Sequence, residues 1–490
     1  MSVRVPEASI AAPLREALER SRYNEGGLMV ALGGAVESSP GDAPVQSRRL
    51  SDSDQAVLAR LFLLGVTVDA ERARAALEPA SFEELRDAGV LEEVGGGAVR
   101  SPIRISPFEG VLLAHDPDVI EDPEDDIVTG LNSAARTLAS LTPRLPAARA
   151  LDIGTGCGVQ ALLVAKHAEH VVATDVNPRA LAYTRLSAAL NGFDHVETRE
   201  GSFFDPVEGE EFDLIVSNPP YVISPDDALV YRDAGLERDE VSRLAITGAA
   251  SHLAEGGHAM LLANWVHDPW EAWADPIVRW LEGSGCDAVL LHHLSEDGLE
   301  YAAKWNARHR TNPELLGEVI DRWTDWYRES GILSLATGGV ALRRGGNVEP
   351  RVTALEMATG PSGRAGEHVM QLFAAADALA ELDDEALLGT PLALVPDHTL
   401  HRERPHDEDG YGIEKVRLVL DHSAGLATEF GPMVAAVLVG LDGHRTVADL
   451  LERMAGALGT EPSDAQEAVL GAVRSLIEQG YVTVTTRSSS

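Results

Sequence analysis

The spacing of apolar and polar residues divides the chain into a regular central stretch and two less regular flanks. Between residues 147 and 343, short apolar runs alternate with longer segments in which apolar residues recur at helical spacing. The short runs predict strands at Ala148–Ile153, His170–Thr174, His195–Glu200, Phe212–Ser217, Gly257–Asn264, Ala288–His293 and, as two stretches around Gly338 and Gly339, Ile332–Arg343. The longer segments predict helices at Gly158–Ala168, Pro178–Asn191, Arg238–Leu253, Pro269–Gly283 and Asn312–Ser330. This alternation predicts an α/β fold with a seven-stranded, mostly parallel sheet covered by helices, its last strand antiparallel beside the sixth.

The flanks of this stretch predict additional small domains. Residues 1–50 predict an N-terminal helix and a flexible linker, because the segment becomes rich in Gly, Ser and Pro. Residues 51–115 predict a small helical or winged-helix-like domain of three short helices and a hairpin. The α/β domain is predicted over 116–348, and 349–490 predict a mixed C-terminal domain that ends in a winged-helix-like unit. A chain of 490 residues has room for several such domains.

Four tryptophans cluster around the fifth predicted strand and the helix after it, at Trp265, Trp270, Trp273 and Trp280. Their helical spacing predicts that they lie in the core. Trp265 has an alternative place, because it comes near the carboxyl end of a strand, where ligands of open α/β sheets bind.

Composition and charge exclude several classes of protein. The chain has 40 Lys and Arg against 78 Asp and Glu, a net charge of −38, which disfavours a general nucleic-acid binder but not a small basic groove. No apolar run reaches 18 residues and the N-terminus lacks a signal pattern, so we predict a cytoplasmic protein with no membrane partner. Cys157 and Cys286 are too few for a disulfide framework or a multi-Cys zinc site. Asp397, His398 and His401 have metal-ligand chemistry, but such loops are commoner as solvated surface, and we predict no metal site.

The sharpest local signal is a glycine-rich turn directly after the first strand of the α/β stretch. Glycines at 154, 156 and 158 let the backbone turn tightly and let a ligand lie against it, and the next helix offers free N–H groups. The spacing differs from the Gly-x-Gly-x-x-Gly of dinucleotide sites. Asp175 ends the second strand, where a carboxylate accepts both hydroxyls of a ribose. Asp152 precedes the glycines, where it repels a pyrophosphate and favours a cationic amino-acid tail. The alternative is a strand–helix turn without a ligand.

A second motif, Asn218-Pro219-Pro220-Tyr221, follows the fourth strand. Two prolines fix the backbone and remove two donors, so that the carbonyls there remain free to accept. The Asn218 oxygen and a backbone carbonyl can hold the two hydrogens of a planar NH2, while Tyr221 can stack on a flat amide or base. This arrangement can turn the lone pair of that nitrogen toward an electrophile, and orientation then does most of the work. An ordinary proline-rich turn is the alternative.

The two motifs together resemble the class I S-adenosylmethionine-dependent methyltransferases, in the Asn-Pro-Pro-Tyr subgroup of release-factor glutamine, adenine-N6 and cytosine-N4 enzymes. The resemblance covers about Asp116–Arg343 and implies the Rossmann-like methyltransferase fold, with S-adenosyl-L-methionine as the cofactor. It implies a cofactor site formed by Asp152, Gly154, Thr155, Gly156, Gly158, Asp175, Val176, Ser202, Phe203 and Asn218. It also implies that Asn218, Pro219 and Tyr221 are the catalytic residues.

Some positions match the family less well. Ser202 is the positional candidate for the adenine contact and Phe203 a ring wall, with Asp205 as the alternative contact. Thr129 and Gly130 occupy the place of a segment that closes over the cofactor in related enzymes. Cys157 is expected to be a small loop residue rather than a nucleophile.

The charge around the acceptor motif bears on the substrate. Residues 200–240 contain twelve acids against two arginines, whereas binding DNA or RNA requires cations near phosphates. We therefore predict methyl transfer to a planar amide or amine nitrogen, with a glutamine-type side chain of a protein or peptide ahead of a nucleobase. The alternatives are an RNA or DNA nucleobase N-methyltransferase and a non-catalytic S-adenosylmethionine-binding scaffold.

Overall fold

A computed structural model of the chain describes residues 5–34, 42–117, 127–226, 238–345, 351–403, 406–407, 410–411, 415–430, 432–458 and 461–484. The chain divides into two compact units. Unit 1 consists of Met1–Ala139, Leu145–Trp265 and His309–Ser330, and unit 2 of Ser140–Arg144, Val266–Arg308 and Gly331–Ser490. None of the helices in the described ranges is both long enough and apolar enough to cross a membrane.

The α-helices are numbered in chain order. They are α1 (Ala11–Arg20), α2 (Glu25–Leu32), α3 (Ala43–Arg49), α4 (Asp54–Leu58), α5 (Ala70–Leu77), α6 (Phe82–Asp87), α7 (Ser133–Leu141), α8 (Val159–Val164), α9 (Pro178–Asn191), α10 (Glu240–His252), α11 (Asp275–Leu281), α12 (Gly298–Trp305), α13 (Pro313–Glu329), α14 (Gly366–Glu381), α15 (Asp384–Gly389), α16 (Pro432–Leu438), α17 (Val447–Leu458) and α18 (Ser463–Glu478).

The strands are numbered in the same way. They are β1 (Val68–Asp69), β2 (Glu92–Gly95), β3 (Ala98–Arg100), β4 (Arg104–Phe108), β5 (Val111–His115), β6 (Ala147–Ile153), β7 (Ala168–Asp175), β8 (Val196–Glu200), β9 (Phe212–Ser217), β10 (Leu253–His267), β11 (Cys286–Glu296), β12 (Ser334–Arg344), β13 (Val352–Glu356), β14 (Pro391–Leu394), β15 (His398–Glu403), β16 (His406–Asp407), β17 (Gly410–Tyr411), β18 (Lys415–Leu420), β19 (Thr428–Phe430), β20 (Asp442–Thr446) and β21 (Val482–Val484).

Unit 1 is built on five parallel strands in the order β10-β9-β6-β7-β8. The last four residues of β6 and of β9 are buried, as expected for central strands of a parallel sheet covered on both faces. Helix α9 shows how the sequence sets these elements. Asn177 caps it by accepting a hydrogen bond from the Arg179 N–H, Pro178 fills its first position, and Gly192 ends it in a left-handed conformation.

The N-terminal part of unit 1 packs on the same core. The small sheet has the order β1-β3-β2, and β4 and β5 form an antiparallel hairpin. This hairpin is tied to α9, because the Leu112 N–H donates to Asn191 Oδ1 and the Ala114 N–H donates to Ser187 Oγ, both at 2.9 Å. One buried apolar cluster therefore runs from α1 to β9, and the hairpin ends at His115.

Unit 2 contains the strands β11, β12 and β13 and the C-terminal elements. Strand β11 pairs antiparallel with β12 and parallel with β13. Two smaller three-stranded sheets have the orders β20-β14-β21 and β15-β18-β19. The Arg343 guanidinium binds both Asp287 and Asp377, with N–O distances of 2.7 to 2.8 Å.

Most predicted elements of the α/β stretch are confirmed, including the exact bounds of α9 and β9 and the antiparallel pairing of β11 and β12. The described residues contain one strand more than the seven predicted for the sheet, and it pairs with β11. The added strand is Val352–Glu356, within the segment predicted as C-terminal domain. The predicted break at Gly338 and Gly339 is wrong, because both glycines lie inside the single strand β12.

The prediction for Pro269–Gly283 is also too long, since α11 begins only at Asp275. Trp270 therefore lies outside the helix and is 89% exposed, which contradicts its predicted place in the core. Trp265 is fully buried, as the core interpretation requires. The helix predicted as Gly158–Ala168 ends earlier, at Val164, and β7 begins at Ala168.

Candidate functional site

Four parallel strands of unit 1 end at the same edge of the sheet, and each is followed by predicted site residues. In the register, Ile153 lies opposite both Thr174 and Ser217, and Asp175 lies opposite Glu200. The glycine turn after β6, Asp175 at the end of β7, the segment after β8 and Asn218 after β9 are therefore brought together. This edge is where open α/β sheets bind their ligands.

The glycine turn has the backbone that its sequence predicts. Gly154, Gly156 and Gly158 have φ angles of 69°, 58° and 88°, a region that residues with a Cβ rarely adopt. The glycines differ in what surrounds them. A Cβ built on Gly154 or Gly156 meets no atom within 4 Å, whereas one on Gly158 would lie 2.8 Å from Leu162 Cδ1. Gly154 and Gly156 therefore face open space, while Gly158 allows close packing inside the fold.

Asp152 holds the turn in place from below. Its Oδ2 accepts hydrogen bonds from Thr155 Oγ1 at 2.7 Å and from the Ala161 N–H at 3.0 Å. The residue is only 1% exposed, and burial raises the pKa of its carboxyl from 3.8 to about 7, although both hydrogen bonds act in the opposite direction. Near neutral pH the carboxyl is thus poised between its neutral and ionised forms.

Asp175 is oriented by the backbone on both sides of the site. Its Oδ2 accepts from the Gly156 N–H at 3.0 Å, and its Oδ1 accepts from the Asn177 N–H at 2.9 Å. The first bond links the end of β7 to the glycine turn. Each carboxylate oxygen has more than one acceptor position, so the same group can also accept hydrogen bonds from a ligand diol.

These residues line one cavity of about 460 Å³ within unit 1. The predicted residues on its wall are Asp152, Gly154, Thr155, Gly156, Asp175, Val176, Ser202, Phe203, Asn218 and Pro219, together with Thr129 and Gly130. Gly158 and Tyr221 do not line it. Gly158 caps α8 just behind the turn.

The segment after β8 forms a second wall. Ser202 and Phe203 line the cavity, whereas Asp205 does not and begins a short 3-10 turn. Phe203 has a φ of 44°, and the Asp205 N–H donates to the Ser202 carbonyl at 3.0 Å, which closes the segment into a sharp turn. Val176, which also lines the cavity, is 52% exposed. Val176 and Phe203 can thus enclose a flat ring, with Ser202 as the nearby polar group.

The acceptor motif lies at the end of β9. The Ser217 hydroxyl donates to the Ile153 carbonyl at 3.0 Å, which fixes the motif beside the glycine turn. Asn218 is half-buried in the cavity wall, and its amide forms no hydrogen bond with any residue in the described ranges. The Tyr221 N–H donates to the Pro219 carbonyl at 2.8 Å, and burial raises the pKa of the Tyr221 phenol to about 12. Asn218 is therefore the side chain of the motif that is available to a ligand.

Several lining residues carried no signal in the sequence. Ile127 and Val128 precede the predicted Thr129–Gly130 segment, and Asn177 could have been found only as a helix cap. Gln160 is buried on α8; its Nε2 donates to the Ala135 carbonyl at 2.9 Å, while its Oε1 has no partner among the described residues. Cys157 also lines the cavity, but burial raises the pKa of its thiol to about 12, so it is not a nucleophilic thiolate.

Comparison with known proteins identifies the family. The family described as the methyltransferase small domain matches residues 128–271. The release factor glutamine methyltransferase of Aliivibrio fischeri (strain ATCC 700601 / ES114) is 30% identical over 202 residues, which are 39% of this chain and 69% of that protein. The chain belongs to the Asn-Pro-Pro-Tyr subgroup of class I S-adenosylmethionine-dependent methyltransferases. A second such relative, from Xylella fastidiosa (strain Temecula1 / ATCC 700964), is 36% identical over 129 residues, 24% of this methyltransferase and 47% of the relative.

The similarity is confined to part of this methyltransferase. It spans about half the length of several of the curated relatives that it matches. Residues 20–102 and 370–484 match two families described as domains of unknown function, DUF7059 and DUF7782. Among solved structures, the ribosomal protein L11 methylase from Lactobacillus delbrueckii subsp. bulgaricus has 23% identity and a TM-score of 0.24, over 31% of this chain and 67% of that one.

The residues of the site fit the cofactor of the subgroup, S-adenosylmethionine. Gly154 and Gly156 leave open space that any Cβ would fill, and Asp175 presents a carboxylate that two backbone N–H groups orient. Within the described part of the methyltransferase, no group of three or more His, Cys, Asp or Glu side chains could hold a metal ion.

Proposed function

We propose that this methyltransferase transfers a methyl group from S-adenosylmethionine to the side-chain amide nitrogen of a glutamine in a protein. The observation that carries the proposal is the Asn218 amide, which lines the cavity and forms no hydrogen bond with the described residues. The amide oxygen of this half-buried side chain accepts hydrogen bonds, so it can bind the planar NH2 group of a substrate.

The proposed chemistry depends on orientation. S-adenosylmethionine, when bound, supplies an electrophilic methyl group on a sulfonium sulfur. Asn218 Oδ1 and the Pro219 carbonyl accept hydrogen bonds from the acceptor nitrogen, so that its lone pair faces the methyl group. Asp175 binds the ribose hydroxyls, and Val176 and Phe203 enclose the adenine ring. The nitrogen gains a bond to carbon, the carbon–sulfur bond breaks, and the proton of the methylated nitrogen leaves to solvent.

The charge near the acceptor motif supports a protein substrate over a nucleic acid. From Glu200 to Asp226 the sequence contains seven Asp or Glu residues and no Lys, Arg or His. Glu210 and Asp226 are paired with arginines from other segments, and the other carboxylates would repel phosphate groups. The similarity to the two relatives also supports a glutamine acceptor, since those proteins are release factor glutamine methyltransferases.

The test compares the wild-type chain with Asn218→Ala and with the matched control Asn24→Ala, which removes an exposed helix cap of α2. Each is incubated with methyl-labelled S-adenosylmethionine and with a purified release factor, total protein, RNA or DNA, and labelled protein is digested for peptide mass spectrometry. We expect wild type and Asn24→Ala to label a glutamine in protein. We expect Asn218→Ala to be slower by about 10²-fold or more, because it loses a group that orients the transition state.

Calorimetry with S-adenosylhomocysteine completes the test, since Asn218→Ala must still bind this product for the rate loss to reflect the acceptor. Label in RNA or DNA alone would replace the glutamine proposal by a nucleobase N-methyltransferase. Binding without label in any fraction would support a non-catalytic scaffold. An unchanged rate in Asn218→Ala would remove Asn218 from the mechanism.

A further inference from the structure

A buried ion pair lies directly behind the cavity wall of unit 1. Arg179 Nε donates to Asp116 Oδ2 at 3.0 Å, and Arg179 Nη2 donates to the other carboxylate oxygen. The two side chains are only 13% and 5% exposed. Neither residue lines the cavity. A buried ion pair of this kind contributes little net stability compared with apolar packing. Stability alone therefore does not explain it, whereas the segments that it connects do.

On one side, Asp116 fixes the segment that contains Thr129 and Gly130. Its Oδ2 accepts from the Val128 N–H at 2.9 Å, and its own N–H donates to the Val128 carbonyl at 3.1 Å. Val128, Thr129 and Gly130 all line the cavity. One carboxylate and one peptide group thus hold this wall at two points.

The residue before Asp116 packs against the same segment. The His115 ring bonds to the Asp116 carbonyl at 2.7 Å and to Ser106 Oγ at 2.8 Å, which fixes its orientation. A Cβ on Gly130 would lie 2.4 to 2.6 Å from three atoms of this ring. Gly130 is therefore required for the close approach, and the wall cannot shift toward His115.

On the other side, Arg179 belongs to the first turn of α9. It lies between Asn177 and Ala180, which both line the cavity, and close to the ribose-binding candidate Asp175. The Tyr183 hydroxyl, one helical turn further on, donates to Asp116 Oδ1 at 2.6 Å. The carboxylate is thus bound by two side chains of α9 and by the backbone of the opposite wall.

We propose that Asp116 and Arg179 are positioning residues for the methyl donor: they set the distance between the Val128–Gly130 wall and the start of α9, and so the shape of the cofactor cavity. The inference rests on the proposed function, because it needs S-adenosylmethionine in that cavity. Asp116 and Arg179 belong neither to the glycine turn nor to the acceptor motif, and they are distinct from Asp175.

The experiment measures the dissociation constant of S-adenosylhomocysteine by calorimetry, well below the unfolding temperature of each variant. The variants are Asp116→Asn, Arg179→Lys, Arg179→Gln and Tyr183→Phe, with Glu210→Gln as the matched control. Glu210 binds Arg149 and Arg199 in unit 1, and none of the three lines the cavity. We expect at least tenfold weaker binding in Asp116→Asn and Arg179→Gln, partial rescue in Arg179→Lys and no change in Glu210→Gln.

A double variant and the kinetics separate positioning from general stability. Asp116→Asn combined with Arg179→Gln should bind no more weakly than the worse single variant, because both changes remove the same link. At saturating S-adenosylmethionine, kcat should return close to the wild-type value while KM for the cofactor stays raised. If Asp116→Asn does not fold, Arg179→Lys and Tyr183→Phe still test the link through binding.

Unchanged affinity in every folded variant, or the same loss in Glu210→Gln, would overturn the inference and leave the proposed function intact. A wild-type chain that binds neither S-adenosylmethionine nor S-adenosylhomocysteine would overturn both.

Discussion

The indole Nε1–H of Trp323 donates a hydrogen bond to Asp226 Oδ2 at 2.8 Å, and this contact fixes the chain shortly after the acceptor motif. Arg322 donates to the other oxygen of the same carboxylate at 2.6 Å, and the Tyr327 hydroxyl donates to the Ile223 carbonyl at 2.7 Å. All of these side chains belong to α13 or to the segment that follows Tyr221. Helix α13 therefore holds one end of the motif, while Ser217 holds the other.

The first prediction concerns this contact. Trp323→Phe keeps a ring in the buried site but removes the donor to Asp226, which should lower the free energy of unfolding by about 1–3 kcal/mol. Because the acceptor motif loses an anchor, methyl transfer should slow by at least threefold, while the affinity for S-adenosylhomocysteine stays at its wild-type value. Steady-state kinetics and calorimetry measure the two effects.

The control for this prediction is Arg328→Gln on the same helix, which removes an exposed pair with Asp325. Such surface pairs contribute little, so neither rate nor stability should change measurably. A Trp323→Phe variant that loses cofactor affinity as much as rate would show that α13 acts on the whole fold instead.

The sequence predicted most accurately those helices and strands whose ends are marked by capping residues, prolines or glycines. Asn177, Pro178 and Gly192 supply a cap, a first-turn proline and a left-handed stop, and α9 has exactly the predicted bounds. The glycine turn and Asp175 could be found in the same way, because each directly follows or ends an apolar strand. Because parallel strands end at the same edge of a sheet, the fold class alone predicts that these residues lie close together.

Other features depend on contacts that no local pattern encodes. Asp116 and Arg179 are 63 positions apart, so spacing along the chain could not pair them. The spacing of apolar residues predicted a helix from Pro269, but α11 begins only at Asp275 and Trp270 faces solvent. Strand β13 is short and only half-buried, which left it without an apolar run that would predict a strand. These features depend on contacts between residues that are far apart in the sequence.

The second prediction concerns Gly156, whose φ is 58° and whose Cβ would enter open space in the cavity. Gly156→Ala should cost about 1–2 kcal/mol of folding free energy, because an L-residue is strained there. It should also weaken S-adenosylhomocysteine binding by more than tenfold, because the methyl group occupies cofactor space.

Gly209→Ala is the matched control for backbone strain. Gly209 has a φ of 75°, also has no atom within 4 Å of a built Cβ, and does not line the cavity. Thermal unfolding should show a similar loss in both variants, but only Gly156→Ala should lose affinity in calorimetry. Equal affinities would mean that the cofactor does not lie against the glycine turn.

The third prediction separates two functions of Asp175. Asp175→Asn keeps an oxygen that can accept from the Gly156 N–H but loses the charge and one acceptor, whereas Asp175→Ala loses both acceptors. We expect S-adenosylhomocysteine to bind more weakly in both, and unfolding to be easier mainly in Asp175→Ala. Adenosine, which shares the ribose diol, should lose affinity in parallel, whereas methionine should not. A loss confined to methionine would assign Asp175 to the amino-acid tail.

The last prediction is a pH dependence that Asp152 imposes on stability. Burial raises the pKa of its carboxyl from 3.8 to about 7 in the folded chain, so between these values the folded state holds a proton that the unfolded state has lost. This contribution to stability is complete below pH 3.8 and is lost as the pH rises through about 7, with a slope near 1.4 kcal/mol per pH unit.

Urea unfolding at pH 5, 6, 7 and 8 should show this decline in the wild type and in the control Asp205→Asn, whose carboxylate is exposed. Asp152→Asn, which can still accept from Thr155 and the Ala161 N–H, should lack it. The same slope in all three proteins would mean that the Asp152 carboxyl does not change its protonation between pH 5 and pH 8, and that other groups cause the decline.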